Sequence, residues 1–566
     1  MKTTRPTSKS TTISLLLLIM VISFAIQLTG CTKEIAGPVP AAKEKQPESE
    51  PLAKKKRLDS KPLVTERASM AAPEVALMAS GQRPVIQQSE MAPVLNTEEY
   101  DRIRENTFKD TVQNPLSTFS IDVDTASYSN VRRYLNMNQI PPKDAVRIEE
   151  MINYFSYDYP DPAGEHPFSI TTETGPCPWN NQNRLVHIGL QGKKLDYEHL
   201  NPANLVFLID SSGSMQASNK LPLLKKSLKL LLNELGEKDR IAIVAYAGSA
   251  GLVLPATPAT QKDRIIAALD GLTAGGFTAG GEGIRLAYDI AKRNLISTGN
   301  NRVILATDGD FNVGVSSTSE LVRLIEEKRK DGIYLTILGF GMGNYKDGRM
   351  EQISNAGNGN YFYIDTIREA EKVFVREMRA NMFTIAGDVK IQVEFNPTKV
   401  AAWRLIGYEN RVMAKEDFDD DTKDAGELGA GHTVTALYEI VPPDAKTGAS
   451  PPAPLKYQET RIKADASQSN EMMNIKLRYK PIGHDTSRLI EKTINDETTA
   501  LVKTSQNYRF SAAVAGFGML LRDSEFKGNL TDTDVIGLAT DAKGHSQSAD
   551  RSEFIQLVKT WALLAK

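Results

Sequence analysis

Apolar and polar positions change period several times along the chain, and each change marks a predicted element or boundary. Residues 13–26 form an apolar run behind Lys2, Arg5 and Lys9, shorter than the roughly 20 residues a confident spanning helix needs. From 31 to 93 no period holds, and Pro, Ala, Lys and Glu surround the basic run Lys54, Lys55, Lys56 and Arg57. Residues 94–166 read as a helical region, with helix-like spacing at 128–137 and 147–154 on either side of Pro141 and Pro142. A β segment follows at 167–200, where Val186, Ile188 and Leu190 alternate against His187 and Gly189.

Residues 201–384 change character again, alternating short apolar runs with amphipathic stretches. Strands are predicted at 205–209, 241–246, 252–255 (edge-like), 303–306, 333–340 and 361–364, and helices at 221–235, 263–272 and 282–296, with further helices later. That rhythm predicts a doubly wound, mostly parallel α/β sheet, whose ligands bind at the carboxyl ends of the strands. Strict alternation returns at 385–482: Val389, Ile391, Val393, Phe395, then Val434, Ala436, Tyr438, Ile440, then Met473, Ile475, Leu477, Tyr479. Because β segments flank the central domain on both sides, that domain is expected to be inserted into a β-sandwich-like domain. Residues 483–566 look helical, with helices at 497–521 and 551–564. The apolar stretch 510–521 is shorter than the roughly 18 residues of a spanning helix and reads as a buried one.

The chemistry concentrates where the run Leu205 to Ile209 stops in Asp210, Ser211, Ser212, Gly213 and Ser214. Alternating strand-end side chains let Asp210, Ser212 and Ser214 converge on one point, and converging oxygens suit a hard cation. Thr278, in the glycine-rich loop 275–281, and Asp308, after the strand at 303–306, are expected at the same end of the sheet. The alternative is that Asp210 and Ser214 only cap the following helix or close a turn.

Other motifs are weaker. Ser120 to Ser127 contains Asp122, Asp124 and Thr125 but carries Ala126 where an aspartate-nucleophile phosphohydrolase would have Thr or Val. Asp124 or Thr125 is expected to cap the next helix, with a second cation at Asp122 and Asp124 as the minority reading. The acidic stretch 417–427 offers Thr422 where an EF-hand loop needs glycine and Leu428 where it needs glutamate. A solvated acidic hairpin loop is the expectation there, an irregular calcium site the alternative.

Composition narrows the function classes. A formal net charge of −2 over 566 residues gives no argument for nucleic acid as a partner. Two cysteines, Cys31 and Cys177, are too few for a disulfide framework, and Cys177 is expected reduced and structural, in a loop. No HExxH, GxSxG or Walker A motif appears, so a non-enzymatic protein is expected, with a metal-dependent enzyme or an accessory subunit of an enzyme complex as the alternative. The basic n-region and apolar run of residues 1–30 read as a secretory signal. It ends in Leu28, Thr29, Gly30 and Cys31, which resembles the bacterial lipobox. The resemblance implies a lipid-anchored chain in the bacterial cell envelope, and Thr32 after the cysteine leans toward the outer membrane where there are two. Residues 31–93 are then a tether too poor in apolar surface to offset its ordering entropy.

Asp210, Ser212 and Ser214 match a DxSxS motif, Thr278 follows in Gly-Gly-Phe-Thr, and Asp308 stands in Thr-Asp-Gly. On these three separated motifs residues 201–383 resemble a von Willebrand factor type A domain (vWA, with a Rossmann-like sheet) bearing a metal-ion-dependent adhesion site. The whole chain resembles bacterial lipoproteins of the YfbK type. The resemblance implies magnesium or manganese held directly by Ser212 and Ser214. Thr278 binds directly or through water, and Asp210 and Asp308 act largely through water. One coordination position is left for an Asp or Glu of a partner protein.

Overall fold

The computed structural model describes residues 96–566 apart from 197–199, 248, 276–279, 310–317, 446–455, 458–460 and 545–547. The signal, the tether, Cys31 and Thr278 lie outside the described residues. No helix among those described is long and apolar enough to cross a membrane.

Four strands precede the central domain: β1 (Lys109–Asp110), β2 (Leu116–Ser120), β3 (Phe168–Cys177) and β4 (Asn180–Gly192). The central domain supplies β5 (Ala203–Asp210), β6 (Arg240–Tyr246), β7 (Ala250–Pro258), β8 (Asn300–Thr307), β9 (Ile333–Phe340) and β10 (Tyr361–Ile364). Six more follow: β11 (Thr384–Phe395), β12 (Ala402–Ile406), β13 (Gly426–Gly429), β14 (Thr433–Val441), β15 (Glu471–Pro481) and β16 (Arg488–Asn495).

The central sheet runs β10-β9-β8-β5-β6-β7, parallel throughout except for the antiparallel edge pair β6 and β7. Its middle strand β5 is buried along its whole length. Leu205, Phe207 and Ile209 pack with the helix Leu221–Glu234 on one face. Val206 and Leu208 pack on the other with Ile284, Ala287 and Tyr288 of the helix Gly280–Arg293. Two covered faces explain why this strand reads as an unbroken apolar run rather than an alternation.

The flanking strands build two antiparallel sheets, β1-β12-β14-β4-β3 and β13-β11-β15-β16, the latter extended by β2 on β11. Val186 of β4 lies opposite Tyr438 of β14, so a strand before the central domain and one after it share a sheet, as insertion requires. The two sheets face each other through one core that holds Val186, Ile188 and Leu190 with Ile391, Val393, Ile475 and Leu477. The alternate residues of the first sheet point outward: Leu185, Ile406 and Leu437 pack beneath a helical layer containing Phe155, Phe510, Phe517 and Phe554. Residues far apart in sequence thus form one three-layered body, and the predicted buried helix is found in its helical layer as Gln506–Arg522.

Several expectations are corrected. The region 94–166 is not purely helical, since β1 and β2 pair with β12 and β11; both are too short to show a period. The C-terminal region begins with β16, whose edge position leaves much of it exposed and hides the alternation. The predicted helix at 497–521 starts only at Gln506, where the Ser505 hydroxyl accepts the Tyr508 N–H. The expected loop after it contains a helix, Asp532–Asp541, fixed by a capping box of Thr531 and Asp534. Neither Asp124 nor Thr125 caps the helix Ala126–Asn136. Asp124 instead accepts the Tyr361 N–H at 2.8 Å. Cys177 sits at the end of β3 rather than in a loop, and burial pushes its thiol well up from the usual range.

Candidate metal centre

The centre is assembled where the parallel strands end. Ile209 lies opposite Ala306 in the β5–β8 register, which puts Asp210 and Asp308 at adjacent strand ends. Both carboxylates are fully buried. The chain then turns: Ser212 N–H donates to Asp210 Oδ1 at 2.9 Å, and the short turn Gly213–Gln216 follows. The Ser212 and Ser214 hydroxyl oxygens come to 2.9 Å from each other. Ser212 is buried while Ser214 is exposed, so the pair forms the floor and lip of an opening to solvent. Gly275 N–H donates to the Ser211 carbonyl at 2.8 Å.

This donor set fits a small hard cation. An octahedral ion with bonds of about 2.1 Å holds neighbouring oxygens roughly 3 Å apart, the spacing of the two hydroxyls. All donors brought together are oxygens, which favours magnesium or manganese over softer ions. Burial pushes the Asp210 carboxyl up to about 6; the Asp308 carboxylate adds to the rise, while hydrogen bonds from Ser212 and Thr307 oppose it. A buried acid pair held without full neutralisation is the electrostatic counterpart of a site that gains by taking up positive charge.

Three contributors were not foreseen. Thr307 Oγ1 donates to Asp210 Oδ2 at 3.3 Å and also accepts from Gly309 N–H, tying the two acidic strand ends together. Lys220 Nζ donates to Asp308 Oδ2 at 2.8 Å and to Asn344 Oδ1 at 3.3 Å. An extended strap at 97–99 docks on the neighbouring loop, with Thr97 N–H on the Gly343 carbonyl and Glu99 N–H on the Tyr345 carbonyl. Glu98 clasps it there, accepting from Arg133, Tyr134, Tyr100 and Gly343 N–H. Burial alone would raise the Glu98 pKa, but Arg133 and the other donors prevail and hold it at about 2. Lys220 and the strap have no period or motif in the sequence, and Thr307, although it is the threonine of the Thr-Asp-Gly motif, acts through a contact that only the fold creates.

The minority cation sites are occupied by protein charge. Asp122 Oδ2 and Asp124 Oδ2 both accept from Arg411, at 3.1 and 3.4 Å. Carboxylate oxygens of Asp122, Glu150 and Glu351 lie within 4.8 Å of one another, but Arg147 pairs with Glu150, Asp347 and Glu351 in their midst. This buried cluster reads as an ion-pair network joining the central domain to the sandwich. In the acidic stretch 417–427 the carboxylates diverge: Asp419 pairs with Arg478, Asp421 accepts from Ser487 N–H, and Asp424 pairs with Arg329.

Residues 204–376 match the von Willebrand factor type A domain, and residues 94–187 match a family described as von Willebrand factor. Residues 380–564 match one described as uncharacterized protein YfbK, C-terminal. The uncharacterized protein YfbK of Escherichia coli (strain K12) is 43% identical over 470 residues, spanning 82% of this chain and 81% of that protein. The chain belongs to the YfbK family. A narrower likeness links this YfbK-family chain to the magnesium-chelatase 67 kDa subunit of Chlorobaculum tepidum, 26% identical over 30% of this chain and 29% of that one. Among solved structures, von Willebrand factor type A from Catenulispora acidiphila is 15% identical with a TM-score of 0.39, covering 72% of this chain and 91% of that one. Because residues 204–376 match the von Willebrand factor type A domain family, this YfbK-family chain carries a type A domain, a class that generally mediates metal-dependent protein interaction.

Proposed function

We propose that this protein is a lipid-anchored component of the bacterial cell envelope that binds a divalent cation and, through it, an acidic side chain of a partner protein. The observation that carries this reading is the pair of hydroxyls, Ser212 and Ser214, held 2.9 Å apart at the end of β5 beside two buried carboxylates, with Ser214 open to solvent. Magnesium or manganese would be held by Ser212, Ser214 and Thr278, with Asp210 and Asp308 acting through water. When bound, the ion supplies an electrophilic position for a carboxylate oxygen, because its direct protein donors are largely neutral hydroxyls. This chain's own residues orient that position: Asp210 fixes the turn by accepting Ser212 N–H, and Thr307 fixes Asp210.

The chain acts in this reading by binding rather than by catalysis, and its partner is a protein rather than a nucleic acid. The lipobox-like Cys31 supports attachment to a membrane, with the outer membrane favoured, and the tether at 31–93 would hold the folded part away from the lipid. Crosslinking capture from native envelopes tests the proposal. A partner retained by the wild type in magnesium, and lost both in chelator and in Asp210→Ala, is the expected result; equal retention in all three arms refutes it.

A further inference from the structure

The same stretch that supplies Ser212 and Ser214 supplies a positive charge. Lys220 ends the loop at the entry of the helix Leu221–Glu234, where its N–H donates to the Ala217 carbonyl and its carbonyl accepts from Leu224 N–H. Its side chain is 9% exposed and reaches the fully buried Asp308. The path of its stem is built for it. Gly341 has φ +77, and a Cβ there would meet Lys220 Cε at 2.2 Å and Cγ at 2.6 Å. Asn344 Oδ1 takes a second ammonium proton at 3.3 Å. The loop bearing Gly341 and Asn344 is held from outside by the strap through Gly343 and Tyr345. Among the described residues the ion pair of Lys220 is with Asp308, while Asp210 accepts the Ser212 N–H.

Charge counting then separates two tasks. Asp210 and Asp308 together carry two negative charges and a divalent cation would cancel them, leaving little attraction for a further carboxylate. With Lys220 present the acidic pair is half neutralised, so the loaded centre keeps one net positive charge. We infer that Lys220 is the charge-setting residue of the centre: it lowers affinity for the metal and raises the affinity of the loaded site for a partner's carboxylate. The inference rests on the metal-centre reading above. It deepens that reading by assigning the preference for an anionic ligand to a residue of this chain that does not ligate the ion.

The test is calorimetric titration of manganese into the wild type, Lys220→Met and Lys220→Arg, each with and without saturating acetate as the carboxylate probe. A neighbouring charge moves such equilibria by about one to three powers of ten. Lys220→Met is therefore expected to bind manganese at least roughly tenfold more tightly than the wild type. It is also expected to lose most of the tightening that acetate gives the wild type. Lys220→Arg, which keeps the charge, is expected to stay near the wild type in both respects. Lys220→Gln replaces Lys220→Met if the latter fails to fold, as judged by circular dichroism. Folded neutral variants that bind manganese no more tightly than the wild type overturn the inference while leaving the metal centre standing. A wild type that binds no manganese overturns the metal-centre reading itself, and the inference with it.

Discussion

Replacing Asp210 by asparagine should stabilise the metal-free protein while destroying its response to metal. Burial pushes the Asp210 carboxyl from 3.8 up to about 6. Between those values the folded state binds more protons than the unfolded state, so stability falls as pH rises through that window and stays lower above it. At 1.36 kcal/mol per pH unit, the ionised carboxylate costs the folded protein about 3 kcal/mol above pH 6. Asparagine keeps the acceptor for Ser212 N–H but meets the Thr307 hydroxyl with an amide, which returns part of the gain. A net stabilisation of about 1–3 kcal/mol follows, or a melting temperature higher by roughly 2–8 °C. The assay is a thermal melt in chelator near pH 7.5 and again near pH 4, where the difference should vanish. In magnesium the order should close or reverse, because the wild type gains binding energy that Asp210→Asn lacks. A variant less stable than the wild type in chelator at pH 7.5 would refute the reasoning.

Three further outcomes are expected. Glu98→Gln should lower stability at neutral pH by about 1–2 kcal/mol after allowance for solvent screening. Because the Glu98 pKa is depressed to about 2 from 4.5, the clasp contributes fully above pH 4.5 and is lost as pH falls toward 2, so the gap between variant and wild type should narrow across that range in acid melts. Phe155→Ala should cost about 3–5 kcal/mol, since its ring packs edge-on against Phe510 at 4.9 Å and Phe554 at 5.7 Å and so links the two helical regions; chemical denaturation measures it. Cys31→Ser should abolish incorporation of a clickable fatty acid into the protein in cells, and undiminished label would remove the case for a lipid anchor.

What could be read from the sequence was what has a period or a fixed spacing. The unbroken run Leu205 to Ile209 announced a strand covered on both faces, and the alternations around Val186, Ile391, Tyr438 and Ile475 announced the two sheets whose strands flank the central domain in sequence. The clustering of Asp210, Ser212 and Ser214 followed from strand geometry, and Asp308 from the neighbouring strand end. Elements of low period were lost. β2 is five residues long, and β16 is an edge strand whose polar residues face water on both sides of its pleat. Long-range charges were lost as well. Arg132 alone joins Asp365, Glu369 and Glu553, from two other parts of the chain, and Arg411 neutralises Asp122 and Asp124, which sequence spacing could only suggest as a cation site. A salt bridge between residues hundreds of positions apart leaves no pattern in either segment. Lys220 is the functional instance: in the sequence it is one lysine at the start of an amphipathic helix, and only the packing of Gly341 and Asn344 beside it directs its charge to Asp308.

The most direct test of the metal centre is an anomalous difference map from crystals of the protein soaked in manganese. A peak is expected about 2.2 Å from both the Ser212 and Ser214 hydroxyl oxygens, the distance of an oxygen-ligated ion of this size, and no such peak in Asp210→Ala crystals treated alike. A map with no density there, or with manganese instead among Asp122, Glu150 and Glu351, would contradict it.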